Sequence, residues 1–319
     1  MAQQTLEPLA EADADLLELG HRLQRHGYRF TTVTPQTHEF QIRRRPEALA
    51  QDRRDVLGWG HPFRKGLLTT TEFGLMHRAG VLRRRQDGQW QSTVRWSSLD
   101  DFLFVHSAYP TTAADSVFFG PDTYRFVQVI DTHLQRHPEP VRRAVDIGCG
   151  SGAGAIMLAA ARSGAEVLAV DINRVALRFA RVNTKLAGMH HVRLHNSDVL
   201  QATDGSFDLI FANPPYMFDP QARAYRHGGE ALGAALSLRI VDEALTQLAP
   251  GGWLLLYTGA AIIAGQDPLL GALKPRLQEQ ACNWTYREID PDVFGEELLR
   301  PGYEAVERIA AVVLTVFSP

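Results

Sequence analysis

The chain has 319 residues, 45% of them apolar and 22% charged, with a formal net charge of −3. That length accommodates two domains, and the balance of residues excludes a disordered or fibrous chain. Two cysteines, Cys149 and Cys282, exclude a disulfide framework and a Cys-x-x-Cys zinc site, which fits a reducing cytoplasm. The acidic first twenty residues and the short apolar runs predict neither a secretion signal nor a membrane span.

Charge is unevenly placed. Residues 1–20 carry five acids and no Lys or Arg, whereas His21 to Trp96 hold fourteen Arg and one Lys against six acids, a regional +9. Within this first third, Leu6 to Arg25, Pro46 to Gly58 and Thr70 to His77 predict helices. Val81 to Arg85 and Trp90 to Trp96 predict strands around Asp87-Gly88, a hairpin turn pair. Helix, helix, hairpin resembles a winged helix. An N-terminal α+β domain over residues 1–115 is therefore expected.

From residue 116 to 319 short β-rich runs alternate with helical ones, the pattern of an α/β domain with a mostly parallel sheet. The predicted strands are Ala144 to Ile147, Glu166 to Val170, Val192 to Leu194, Leu209 to Ala212, Gly252 to Thr258, Thr285 to Ile289 and Ile309 to Phe317. Helices are predicted at Ala153 to Ala161, Arg174 to Leu186 and Ala231 to Leu248. The last two strands have no helical pattern between them, so an antiparallel return is expected at the sheet edge.

Two motifs carry chemistry. Val145-Asp146-Ile147-Gly148-Cys149-Gly150-Ser151-Gly152 stands between a strand and a helix, where glycine lets backbone approach a ligand and a helix N-terminus receives negative charge. It also fits the Gly-x-Gly-x-x-Ala dinucleotide fingerprint, so a nicotinamide or flavin enzyme stays open. Asn213-Pro214-Pro215-Tyr216 follows the fourth strand; its prolines fix φ and lack N–H donors. The Asn213 amide and the Pro214 carbonyl are two acceptors suited to a substrate –NH2, and Tyr216 is placed to stack on a planar group or to wall the pocket. Asp171 and Asp198 follow the second and third strands, at the edge where open α/β sheets bind ligands.

At these residues the chain resembles the class I S-adenosylmethionine-dependent N-methyltransferases, in the group acting on glutamine-N5 or nucleobase exocyclic amino nitrogens. The resemblance implies a Rossmann-like seven-stranded sheet and S-adenosylmethionine as cofactor. Gly148, Gly150 and Gly152 would cradle the methionine moiety, Asp171 the ribose and Asp198 the adenine amino group. Asp146, Ile172, Val199 and Asn213 complete the cofactor contacts, and Asn213, Pro214, Pro215 and Tyr216 face the methyl acceptor. Phe118 to Tyr124 looks like the Pro-Arg-Pro-(Glu/Asp)-Thr-Glu segment of the glutamine branch, with Gly120 in place of arginine and Tyr124 in place of glutamate. The acceptor is a protein, an RNA or a small molecule.

Other features have plainer readings beside sharper ones. Cys149 fills the glycine turn, and His190, His191 and His195 lie on turn and strand, where i, i+4 spacing does not build a metal site. Arg43 to Arg45, Arg53-Arg54 and Arg83 to Arg85 form either a phosphate-binding face or a solvated surface paired with Glu39, Glu47, Asp52 and Asp55. Asp292 to Leu298 is an active-site flap or an ordinary edge loop.

Overall fold

The computed structural model describes residues 10–45, 48–219, 223, 225–280 and 282–319. The chain divides into two compact units: Met1–Thr111 with Arg181–Gly188, and Thr112–Ala180 with Met189–Pro319. A stretch of helix from the second half of the chain, Arg181–Gly188, thus groups with the first unit.

In the first unit α1 (Glu11–Arg25), α2 (Pro35–Arg44) and α3 (Thr70–Arg78) precede two hairpins, β1 (Leu82–Arg84) with β2 (Trp90–Ser92) and β3 (Val94–Leu99) with β4 (Phe102–Ser107). The second helix is not at Pro46 to Gly58. It begins at Pro35, with Thr34 accepting from the Thr37 backbone N–H; among the described residues of the expected span, helix covers Arg53 to Gly58, where Arg53 and Arg54 lead into a π-helical turn, Asp55–Trp59. Proline at N1 and a threonine cap are strong start signals, which the later apolar residues obscured. Residues 6–9 of the first expected helix, and Pro46 and Glu47, lie outside the described residues. The Asp87-Gly88 turn forms as read, with Gly88 at φ 80° and the Arg85 N–H donating to the Gln89 carbonyl at 2.8 Å. The second predicted strand breaks at Thr93, so Trp90 and Trp96 belong to different hairpins. Asn183, fully buried, joins β4 to the helical stretch of this unit, accepting from the Val105 N–H at 2.8 Å and donating to its carbonyl at 3.0 Å.

The second unit holds α4 (Pro121–Arg136), β5 (Arg143–Ile147), α5 (Ala153–Ala161), β6 (Glu166–Asp171), α6 (Arg174–Leu186) as far as Ala180, β7 (Arg193–Asn196), β8 (Phe207–Ala212), α7 (Ala235–Gln247), β9 (Leu248–Ile262), α8 (Pro268–Glu279), β10 (Asn283–Asp290) and β11 (Arg308–Phe317). These strands form one seven-stranded sheet in the order β10-β11-β9-β8-β5-β6-β7. β7, β6, β5, β8 and β9 are parallel, and β11 inserts antiparallel between β9 and β10. The antiparallel return at the edge matches the expectation; α4 and α8 are additions to it.

Alternation along each strand divides the core. Ala144, Leu209, Phe211, Leu255, Tyr257 and Val313 pack on one face with Phe126, Ile130 and Leu134 of α4 and with α5. Val145, Ile147, Ile210, Leu254, Leu256 and Leu314 pack on the other with Ile240 and Val241 of α7 and Leu269, Leu273 and Leu277 of α8. Both faces are covered, which is why these strands read as nearly continuous apolar runs. Each fully buried aliphatic side chain contributes about 1.5–3 kcal/mol of transfer free energy, so the sheet is a rigid platform for the loops at its edge. Order reverses between β5 and β8. The glycine turn after β5 and the Asn-Pro-Pro-Tyr turn after β8 therefore flank the switch point.

Candidate functional site

The glycine turn carries three positive φ values, 67° at Gly148, 54° at Gly150 and 82° at Gly152. An added Cβ would meet nothing within 4 Å at Gly148 or Gly150, but would lie 3.2 Å from the Ala180 Cβ at Gly152. The first two glycines thus leave an open cradle of bare backbone, and the third lets α5 pack closely. β6 fixes the turn: the Cys149 N–H donates to the Val170 carbonyl at 3.0 Å and the Gly150 N–H to Asp171 Oδ2 at 2.9 Å. Cys149 is buried, and burial, with Asp171 and Asp146 nearby, pushes its thiol far up; it is a small filler.

Asp146 is 1% exposed and accepts from the Ala155 N–H at 2.9 Å, so it supports the first turn of α5 from beneath. Burial pushes its carboxyl up to about 8. Asp171 ends β6, and its Oδ1 accepts from the Asn173 N–H at 2.8 Å; burial raises its carboxyl as well. With one bond on each oxygen, lone pairs remain for a ligand. Ile172, next in sequence, is 62% exposed, one of few large apolar side chains so presented. Asp198 is half exposed and pairs with Arg239 of α7 at 2.7 Å, which also binds Glu243 at 2.8 Å. Val199 follows at φ 52° with its side chain buried.

The turn after β8 is held unequally. The Asn213 side chain and the Pro214 carbonyl make no hydrogen bond among the described residues, and Asn213 is half-buried. Tyr216 differs. Its ring lies against Gly259 of β9, leaving no room there for a Cβ, and its phenol donates to Asp122 Oδ2 in α4. This is an arrangement for packing rather than for stacking on a substrate. Sequence reasoning missed Asp122 as a partner of this turn, although it had singled out the segment containing it.

Beyond the turn, Phe294 sits at φ 55° with its ring 6.2 Å from that of Tyr216 and 6.4 Å from that of Phe118, which stacks on Tyr225 at 6.1 Å. The segment Asp292 to Leu298 includes part of a 3-10 turn, Gly295–Leu299, tied down by buried Glu297, which pairs with Arg226 and with Arg300 at 2.8 Å. His190, His191 and His195 are exposed. Among the described residues no group of three or more His, Cys, Asp or Glu is arranged to hold a metal ion, and no helix is long and apolar enough to cross a membrane.

This topology and this pair of switch-point turns define a class I methyltransferase fold. Residues 125–265 match the family model of the methyltransferase small domain. The chain is similar to the release factor glutamine methyltransferase of Deinococcus radiodurans, with 33% identity over 199 residues, covering 59% of this chain and 66% of that protein. It is also similar to the protein of that name from Xylella fastidiosa, with 39% identity over 133 residues, covering 37% of this chain and 47% of that one. The chain thus spans between about half and two thirds of the length of these relatives. A crystal structure of Trm5b from Pyrococcus abyssi superposes with a TM-score of 0.50 at 16% identity, over 71% of this chain and 56% of that one, a likeness of fold alone. Residues 125–265 of the second unit thus match a methyltransferase domain and carry the class I fold, against the nicotinamide and flavin alternatives.

Proposed function

We propose that the protein is an N-methyltransferase that moves a methyl group from S-adenosylmethionine to a planar amide nitrogen, the side chain of a glutamine in a protein acceptor. The observation that carries this reading is the pair of unengaged acceptors, Asn213 Oδ1 and the Pro214 carbonyl, at the switch point beside the glycine cradle. The names of the relatives support the choice of glutamine.

The residues present fit the cofactor. Bare backbone at Gly148 and Gly150 suits the methionine portion, the remaining lone pairs of Asp171 suit ribose hydroxyls, and the exposed Ile172 side chain offers an apolar face to adenine, with Asp198 and Val199 at its edge. When bound, S-adenosylmethionine supplies an electrophilic methyl group. An amide nitrogen is a poor nucleophile because its lone pair is delocalised. Asn213 and Pro214 accept its two N–H groups, turn the lone pair toward the methyl carbon and stabilise the positive charge that grows on nitrogen. Alignment of this kind supplies roughly 7–11 kcal/mol of barrier reduction.

A nucleobase amino group in RNA is the second reading. The exposed Arg44, Arg45 and Arg84 favour it, while other arginines of that unit are paired: Arg43 with Glu39 at 2.5 Å, Arg53 with Glu72 and Arg85 with Asp87 at 3.2 Å. Glu47 lies outside the described residues, and Asp52 and Asp55 bind backbone N–H groups instead. In either case the first unit selects the acceptor, and the reaction is cytoplasmic. Labelled S-adenosylmethionine offered with a release-factor glutamine peptide or with total RNA separates the readings. Label on glutamine is expected; label confined to RNA overturns the primary one.

A further inference from the structure

Asp122 sits in the first turn of α4, 94 residues before Tyr216, and neither of its oxygens is free. Oδ2 accepts the Tyr216 phenol and Oδ1 accepts the Tyr257 phenol of β9 at 2.7 Å. Arg125, one turn on, meets Oδ1 at 3.2 Å and reaches Asp290 Oδ2 of β10 at 2.7 Å. The carboxyl is 4% exposed. Burial raises its pKa, against the two phenols and Arg125.

Tyr216 has little freedom left once this bond forms. Its ring is pressed on Gly259, and Gly233 packs so closely on its carbonyl that a Cβ there would overlap it. Between Tyr216 and Asn213 stand two prolines whose φ angles are fixed by their rings. Fixing Tyr216 therefore narrows the directions open to the Pro214 carbonyl and to the Asn213 backbone that carries its side chain.

We propose that Asp122 is the positioning residue of the acceptor turn, acting through the Tyr216 hydroxyl to hold Asn213 and Pro214 toward the acceptor nitrogen. The kinetic part of the test rests on the proposed methyl transfer. Asp122→Asn preserves size and one acceptor oxygen. It is expected to lower kcat on the order of ten- to a hundredfold while leaving the Kd for S-adenosylmethionine within about twofold. Tyr216→Phe should cause a loss of similar size, the double variant should be no slower than the slower single one, and Asp122→Glu should recover most of the activity. Wild-type kcat in Asp122→Asn, or losses that multiply in the double variant, would overturn the assignment. A second measurement does not depend on turnover: the side-chain amide resonances of Asn213 should shift in both Asp122→Asn and Tyr216→Phe. If the wild type methylates nothing, the functional reading fails and this shift still decides the role of Asp122; unmoved resonances refute it.

Discussion

The Gly150 N–H and Asp171 Oδ2 lie 2.9 Å apart, so the turn after β5 and the acid that ends β6 form one piece of the proposed cofactor site. Asp171→Ala removes both the loop anchor and the charged ribose partner. Affinity for S-adenosylmethionine should fall by about 1.5–3 kcal/mol, the scale for charge-assisted hydrogen bonds. Calorimetry on the folded variant checks this, and an unchanged Kd would remove Asp171 from the site.

Asn213→Ala should do the opposite. Its side chain makes no bond among the described residues that the fold would miss, so melting temperature and cofactor affinity should stay near wild type. Turnover should drop on the order of a hundredfold or more, as when one aligned transition-state contact is lost. Equal kcat at saturating cofactor would show that the amide does not meet the acceptor.

Much of the second unit was legible because β5, β6, β8 and β9 carry buried apolar runs, β5 running into Gly148 and β6 ending at Asp171, and both switch-point turns announce themselves in the chain. α8 was missed although Asp267 caps it, accepting from the Leu270 N–H at 2.9 Å, and Leu269, Leu273 and Leu277 mark its buried face; Pro275 inside the helix masks the pattern. α4 carries Pro121 at its start and Phe126, Ile130 and Leu134 at helical spacing, a pattern whose first turn lies within the Phe118 to Tyr124 motif itself. The inward orientation of Tyr216 had no local signal at all. It depends on Asp122 and Gly259, which are brought together only by the sheet.

The glycines of the cradle can be told apart. Gly148→Ala places a methyl group in open space at φ 67°, so strain of about 1–2 kcal/mol should be accompanied by a clear loss of cofactor affinity. Gly152→Ala forces its methyl against Ala180 and should cost stability first, with affinity following only through the displaced helix. Paired urea unfolding and binding titrations distinguish them. Identical profiles would contradict the division of roles.

Three buried histidines, His38, His106 and His133, make stability fall at acid pH. Burial, with Arg95 and His61 adding to it, lowers His38 to about 3, burial and Arg95 hold His106 well below its ordinary value, and burial, with His137 and Arg162, lowers His133 to about 4. The unfolded chain takes up these protons near 6.5, so between that pH and the folded values it binds more protons than the native state. Stability is therefore present above about 6.5 and is lost as pH falls, by at most about 1.4 kcal/mol per pH unit for each group. His38→Phe, which keeps a ring against Trp59 and Tyr109, should flatten the fall between pH 7 and 5 in urea titrations. A parallel slope in wild type and variant would show that His38 is not a source of it.

The arginines of the β1–β2 hairpin test whether the first unit meets an anionic acceptor. Arg83, Arg84 and Arg85 are all exposed; Arg83 donates to Gln91 Oε1 at 2.8 Å, Arg85 is partly neutralised by Asp87, and Arg84 has no ion-pair partner among the described residues. If they touch phosphates, replacing all three by glutamine should raise KM for the native acceptor and flatten its dependence on salt, because fewer counterions are released on binding. A short glutamine peptide without anionic groups should be methylated at the wild-type rate by the same variant. Unchanged KM for the native acceptor across a salt series would assign these arginines to solvent and leave acceptor choice to the catalytic unit and other surfaces of the first.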